Sequence, residues 1–306
     1  MGGKGLGVNL TYREKSFEVF QDRYEYGILS KLVLRPVKIE KANRSFASSC
    51  VDPLLLVFSA GSELIMGTKM TVKLVQNFLE DYDRGIVEIK LRDLLQLKEK
   101  VSIDPRIRTL FPPIEIGSIT LVDQIVILCL LKILKPSVIL EIGTYLGYTT
   151  SLLAINTSVT KIISIDLPHD HKSRRLNIDK SQILVNPEVN DNFLRQKQAD
   201  EGEKYLKYLE DYDREKIKLI KCDSTELDFP NDIGTIDFAF IDGGHTEDII
   251  KSDTEGVFSC MKKGVIVWHD YKSGIHSDVT KYLQKQSSLK IFHVKNSLCA
   301  FSIIGF

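Results

Sequence analysis

The sequence predicts an α/β fold organised around a doubly wound, mostly parallel sheet. Short apolar runs recur from residue 137 onward, and helix-like segments separate most of them. Each run is nearly continuous in apolar residues rather than alternating. That is how strands covered on both faces read. The third observation comes from the end of the chain, where two runs are joined by only three residues.

The elements follow in order. Residues 118–134 are apolar nearly all round, which predicts a buried helix, and Pro136 closes it. The runs SVILEI (137–142), KIISID (161–166), KIKLIKC (216–222), TIDFAFID (235–242) and GVIVWHD (264–270) predict five strands. Helices are expected over 148–156, about 199–211, 246–261 and 277–287. Strand-helix-strand repetition implies right-handed parallel crossovers. KIFHV (290–294) and LCAFSI (298–303) are too close for a parallel connection, which takes about a dozen residues. They must form an antiparallel hairpin, with Asn296 as a natural turn residue. The expectation is a seven-stranded sheet ending in that hairpin.

The first 112 residues read differently. KLVLRPVKIE (31–40), PLLLVFSA (53–60) and GIVEIKL (85–91) look like strands, and 70–84 has helical spacing. This predicts a small α+β module over 1–112, followed by a larger domain over 113–306. PRIRTLFPP (105–113) is the linker between them. The module carries no motif that points to chemistry. The stretch 167–215 is long for a connection and largely polar. A lid over a site and a surface insertion both fit it.

Composition narrows the function. The chain has 306 residues, and its 41 basic residues balance 41 acidic ones, which argues against a nucleic-acid binder. Cys50, Cys129, Cys222, Cys260 and Cys299 are scattered, with no CxxC pair, so neither a zinc knuckle nor a disulfide framework is suggested. The N-terminus lacks a signal-peptide pattern, and the apolar run at 125–131 is too short to span a bilayer, which takes about 20 residues. These features predict a cytoplasmic protein with no membrane partner, as monomer or homo-oligomer.

In a doubly wound sheet, ligands bind beyond the carboxyl ends of the strands. The first strand there ends in EIGTYLGYTT (141–150). Gly143 and Gly147 allow a tight turn and close approach of a ligand, and Thr149 opens the next helix. There is no lysine for a P-loop, and the GxxxG spacing is not the GxGxxG of dinucleotide folds. Asp166 ends the second strand and suits the two hydroxyls of a ribose. On its own it does not separate NAD from S-adenosylmethionine. Asp223 and Ser224 end the third strand, where an acid can take an adenine amino group or simply cap a turn. The fourth strand ends in IDGGHTED, with Asp242 and His245, and the fifth in WHDY, with His269 and Asp270. One helix bridges those strands, so two acids and two imidazoles converge. Such a set serves either a divalent metal or general base catalysis, with His245 as base.

Taken together, EIGTYLGYTT, ISID, KCDST, IDFAFIDGGHTEDIIKSD and GVIVWHDY resemble, in that order, the class I S-adenosylmethionine-dependent methyltransferases. The nearest likeness is to bacterial small-molecule O-methyltransferases with IDGxH and HDY strand ends. The resemblance covers roughly 115–306 and implies a Rossmann-like methyltransferase fold. It implies that Glu141, Gly143, Thr144, Tyr145, Gly147 and Thr149 hold the methionine part of the donor. Asp166 and Leu167 would bind the ribose, Asp223 and Ser224 would flank the adenine, and Asp242 would border the donor. It further implies a divalent cation (magnesium, manganese or another) on Asp242, His269 and Asp270. His269 is a departure, since an oxygen ligand is more usual there. Catalysis would fall to His245, Asp242 and His269, acting on the hydroxyl of a small molecule. The competing expectations are a catalytically silent donor-binding or partner-binding protein and an NAD-type oxidoreductase.

Overall fold

The computed structural model describes residues 9–12, 15–21, 32–36, 71–101, 106–109, 115–158, 161–168 and 178–306. Three early strands, β1 (Asn9–Tyr12), β2 (Lys15–Gln21) and β3 (Leu32–Pro36), pair antiparallel in a sheet of their own. The run at 53–60 and most of the expected linker lie outside the described residues.

Among the described residues the main sheet has eight strands, not the seven expected from sequence. In chain order these are β4 (Gly85–Ile89), β5 (Val138–Ile142), β6 (Lys161–Asp166), β7 (Ile217–Lys221), β8 (Phe238–Ile241), β9 (Gly264–Trp268), β10 (Lys290–Val294) and β11 (Ala300–Ile304). Their spatial order is β4-β10-β11-β9-β8-β5-β6-β7. The extra strand is β4, whose sequence was assigned above to the N-terminal module. It pairs parallel with β10, from Lys290↔Gly85 to Val294↔Ile89. Residues 71–80 form helix α1 and Leu91–Val101 form α2. Val75, Leu94, Leu97 and Val101 from these helices enter the same core as the rest of the sheet. Rings of Phe78, Tyr82 and Phe292 meet at 5.3–5.4 Å, tying α1 to β10. Local alternation made 85–91 readable as a strand. Its partner lies some 200 residues away, which no local pattern discloses.

The antiparallel hairpin is present: β11 runs against both β10 and β9, and every other pairing in the sheet is parallel. Asn296 turns the chain with φ 67°, a left-handed conformation that Asn tolerates.

The apolar strands feed two layers, as their composition requires. In β8, Phe238 and Phe240 face one side while Ala239 and Ile241 face the other. In β9, Val265 and Val267 oppose Ile266 and Trp268. The first layer is closed by α3 (Leu121–Leu134) and α4 (Tyr148–Asn156), the second by α8 (Glu247–Cys260) and α9 (Ser277–Gln284). The indole nitrogen of Trp268 donates to Thr254 Oγ1 at 3.0 Å, so this buried ring is satisfied. Helix α3 starts at 121, later than the composition suggested, because Thr120 caps it. Thr120 Oγ1 accepts from Asp123 N, and Asp123 Oδ2 accepts from Thr120 N, a reciprocal capping box.

The connection from β6 to β7 is largely folded where it is described. The helix expected over about 199–211 lies earlier, as α5 (Pro187–Glu201). Asn186 caps it through Val189 N, and Pro187 sits at its first turn. Gly202 ends α5, so the following residues form only a single 3₁₀ turn (Lys204–Tyr208) and the short α6 (Asp211–Arg214). A further short helix, α7 (Phe229–Asp232), precedes β8.

Candidate active site

Strand β5 has β6 on one side and β8 on the other, so the chain's path reverses there. A crevice opens beyond the carboxyl ends of the strands at such a point. Gly143 follows β5 with φ 102°, and a Cβ there would lie 2.0 Å from the carbonyl oxygen of Asp242. Only glycine permits this approach of the two strand tips. Tyr145 also adopts a left-handed backbone, φ 48°, uncommon for a bulky residue. That conformation aims its N–H at Asp166 Oδ2, 2.6 Å away.

Glu141 lies beneath this turn and is fully buried. Thr150 Oγ1 and Ser164 Oγ each donate to its Oε2 at 2.5 Å, and Thr144 Oγ1 lies 2.6 Å from Ser164 Oγ. Burial pushes the carboxyl up to about 8, and the two hydroxyls only partly offset this. Glu141 thus braces the turn from below.

Asp166 ends β6 and lines the cleft. Its Oδ1 accepts from Leu167 N at 2.8 Å. Its Oδ2 accepts from Tyr145 N and from the side-chain amide of Gln198 on α5. Burial raises its pKa, against the charge of Lys221 and the two backbone donors. Asp223 ends the next strand and caps a 3₁₀ turn, its Oδ1 accepting from Thr225 N and Oγ1. The second oxygen takes no part in that cap.

The tips of β8 and β9 bring the remaining groups together. His245 Nε2 lies 3.1 Å from Asp270 Oδ2, and its Nδ1 lies 3.3 Å from Asp191 Oδ1. His269 Nδ1 lies 3.1 Å from Asp242 Oδ1 and 3.4 Å from Asp270 Oδ2. Behind it, His269 Nε2 faces Asp123 Oδ2 at 3.5 Å. Acids and imidazoles therefore alternate from Asp123 on α3 through His269, Asp270 and His245 to Asp191 on α5. Burial alone would lower the His245 pKa, but hydrogen bonds to Asp191 and Asp270 outweigh it and hold the ring at about 10. Burial also opposes charging of His269, yet Asp242 and Asp270 raise it well above its usual value. Asp270 has a left-handed backbone, φ 59°, so backbone strain gathers at this rim.

Asp242, His245 and Asp270 offer ligand atoms within 4.8 Å of one another, a mixed oxygen and nitrogen set that fits a divalent cation. Asp191, His245 and His276 are equally close, but the two imidazoles stack at 3.7 Å and 16°. An ion about 2 Å from both nitrogens could not lie in the plane of both rings. Burial and the charge of His245 lower the pKa of His276.

All of this opens on a cleft of about 410 Å³, bounded by residues 142–145, Tyr148, Thr149, Asp166, Leu167, Asp223, Ser224 and the β8 and β9 tips. Of the residues singled out from sequence, Gly143, Thr144, Tyr145, Thr149, Asp166, Leu167, Asp223, Ser224, Asp242, His245, His269 and Asp270 line it. Glu141 and Gly147 do not. Glu141 is the buried brace, and Gly147 is the N-cap of α4 with φ 79°, packed under Leu206. A second cavity of about 280 Å³ lies on the other side of His245, bounded by Glu188, Asp191, Arg195, His276 and Asp278 among others.

The sequence reading missed the α5 contribution. Asn190, Asp191, Leu194, Arg195 and Gln198 face the cleft at i, i+3/i+4 and i+7/i+8 spacing. Placing the helix start at Asn186-Pro187 would have exposed that face. Asp123 was missed too, although Thr120 and Asp123 have capping-box spacing. His276 is an isolated histidine in a loop and carried no signal.

Residues 140–271 match the family model described as a methyltransferase domain. No curated protein matches the sequence. Among solved structures, an SAH-bound methyltransferase from Podospora anserina aligns at 14% identity and TM-score 0.41, covering 76% of this chain and 94% of that one. A putative caffeoyl-CoA O-methyltransferase from Staphylococcus aureus aligns at 17% identity and TM-score 0.42, covering 70% and 90%. An O-methyltransferase from Bacillus cereus, in complex with SAH, aligns at 14% and 0.38, covering 69% and 87%. With every one of these scores below 0.5, the assignment rests on the sequence match and on the strand-end motifs within it. Most of the residues at this cleft thus lie in the stretch that matches a methyltransferase domain, and that match supports a class I S-adenosylmethionine-dependent methyltransferase.

Proposed function

We propose that the chain transfers the methyl group of S-adenosylmethionine to a hydroxyl of a small molecule. The observation that carries this reading is the meeting of Asp242, His245 and Asp270 in the same cleft that Asp166 lines. The sulfonium donor is already activated, so the protein's main work is to align acceptor oxygen, methyl carbon and sulfur.

Asp166, Leu167 and the turn at 143–149 would hold the nucleoside and methionine parts. Asp223 and Ser224 border the region left for the base. His245 stands between the two cavities and is the group placed to receive the hydroxyl proton. Asp191 fixes its ring through Nδ1, leaving Nε2 toward Asp270 and the cleft. His269 holds Asp242 and Asp270 together from behind and is itself steadied by Asp123.

Hydrogen-bonded to Asp191 and Asp270, His245 holds its proton at neutral pH, and it is freed to act as a base only once the charge beside it is offset. A divalent cation on Asp242 and Asp270, with His245 or His269 beside it, would offset that charge and acidify a neighbouring hydroxyl. The second cavity would seat the rest of the acceptor.

The test is a panel of hydroxylated acceptors incubated with the donor, with and without magnesium, manganese or zinc. Transfer should appear on at least one hydroxyl and fall when the metal is chelated. Tight donor binding with no transfer to any acceptor would support a silent binding protein instead.

A further inference from the structure

Gln198 sits two helical turns along α5 from Asp191 and is 5% exposed. Its amide nitrogen donates to Oδ2 of Asp166. The helix is held in this position by charge: Lys197 reaches Glu115 at 3.3 Å and Glu201 at 2.9 Å, and Lys204 reaches Glu115 at 2.5 Å and Glu201 at 2.6 Å. Leu194 and the Tyr145 ring both pack against Gly117.

A carboxylate offers about four acceptor positions, two on each oxygen. On Asp166, Oδ1 has used one, for Leu167 N. Oδ2 has used both, for Tyr145 N and Gln198. The two hydroxyls of a ribose need one position on each oxygen. Oδ1 can supply its share. Oδ2 can do so only if Gln198 lets go, because the Tyr145 N–H is fixed by the backbone.

We infer that Gln198 is an internal occupant of the donor's ribose site, and that an adenosyl ligand binds by displacing its amide from Asp166. The inference rests on the donor-site reading of Asp166. The amide keeps a buried carboxylate satisfied while the site is empty, at the cost of weaker donor binding. The exchange is one hydrogen bond for another at the same oxygen. It therefore sets affinity without forming or breaking any covalent bond.

The experiment is calorimetric titration of S-adenosylhomocysteine into the full chain and into Gln198→Leu, Gln198→Ala, Asp166→Asn and Asp166→Asn/Gln198→Leu. Leucine keeps the side chain's bulk without its donor, and alanine favours the helix. Both single Gln198 variants should bind roughly two- to tenfold more tightly, the value of one hydrogen bond. Asp166→Asn should bind about tenfold or more weakly, and Gln198→Leu should add nothing on that background. Unchanged or weaker binding by both Gln198 variants overturns the inference while leaving the donor site in place. Normal binding by Asp166→Asn overturns the donor-site reading itself. If neither Gln198 variant folds, a crystal structure of the unaltered chain with S-adenosylhomocysteine decides. The amide turned away from Asp166, with both ribose hydroxyls on the carboxylate, supports displacement. The amide still on Oδ2 refutes it.

Discussion

The carbonyl oxygen of Asp242 stands 2.0 Å from the place a Cβ would occupy on Gly143. The turn after β5 and the tip of β8 are thereby locked at a separation only a hydrogen atom can fill. Gly143→Ala must push them apart and also hold alanine at φ 102°. Strain and overpacking each cost about 1–3 kcal/mol, so a loss of about 3 kcal/mol or more is expected in denaturant unfolding. Wild-type stability in this variant would mean that the tips part freely.

His245 is the proton acceptor of the proposed reaction. Its replacement by alanine should lower kcat by about 10²–10⁴-fold, on whichever hydroxyl the acceptor panel identifies. Donor affinity should hold within about twofold, since His245 borders the cleft without bonding to Asp166. Asp191→Asn should lose about 10-fold or more, because it orients the ring rather than taking the proton. Turnover unchanged in His245→Ala removes this residue from the chemistry.

Asp242 and Asp270 supply the charge that would hold a cation. Calorimetry with manganese should show binding to the unaltered chain, at least about tenfold weaker binding in Asp242→Asn or Asp270→Asn, and little change in Glu88→Gln. Equal affinity in all four proteins would place the ion elsewhere.

Glu141 gives a pH signature. Its folded pKa is raised to about 8 from 4.5, chiefly by burial, so the folded state binds its proton more tightly than the unfolded chain does. Its stabilising effect is therefore whole below 4.5 and lost as pH climbs from 4.5 toward 8. Glu141→Gln, which cannot ionise, should remove that decline. Between pH 5 and 9 its melting temperature should gain on the wild type by about 2–4 °C for each kcal/mol recovered. Parallel melting curves across this range would show that Glu141 is not protonated in the folded state.

Much of this was legible because the relevant signals are local. Strands covered on both faces declare themselves as apolar runs, and a three-residue link leaves β10 and β11 no choice but to run antiparallel. The strand tips then place Gly143, Asp166, Asp223, Asp242, His245, His269 and Asp270 on one rim, since every crossover returns the chain to it. What stayed hidden depends on distant partners. Strand β4 joins β10 across some 200 residues. Gln198 and Asp191 act only because α5 folds back over the rim. Glu141 looks like a rim residue from its position, yet the inward turn of its side chain toward Thr150 and Ser164 makes it a brace.

The central claim is that the rim of the sheet holds the nucleoside of the donor. A structure with S-adenosylhomocysteine bound tests it most directly. The ribose should lie on Asp166, and the sulfur should face the space beside Asp242 and His245. The nucleoside found in another cavity, or the rim left closed with ligand bound elsewhere, would contradict it.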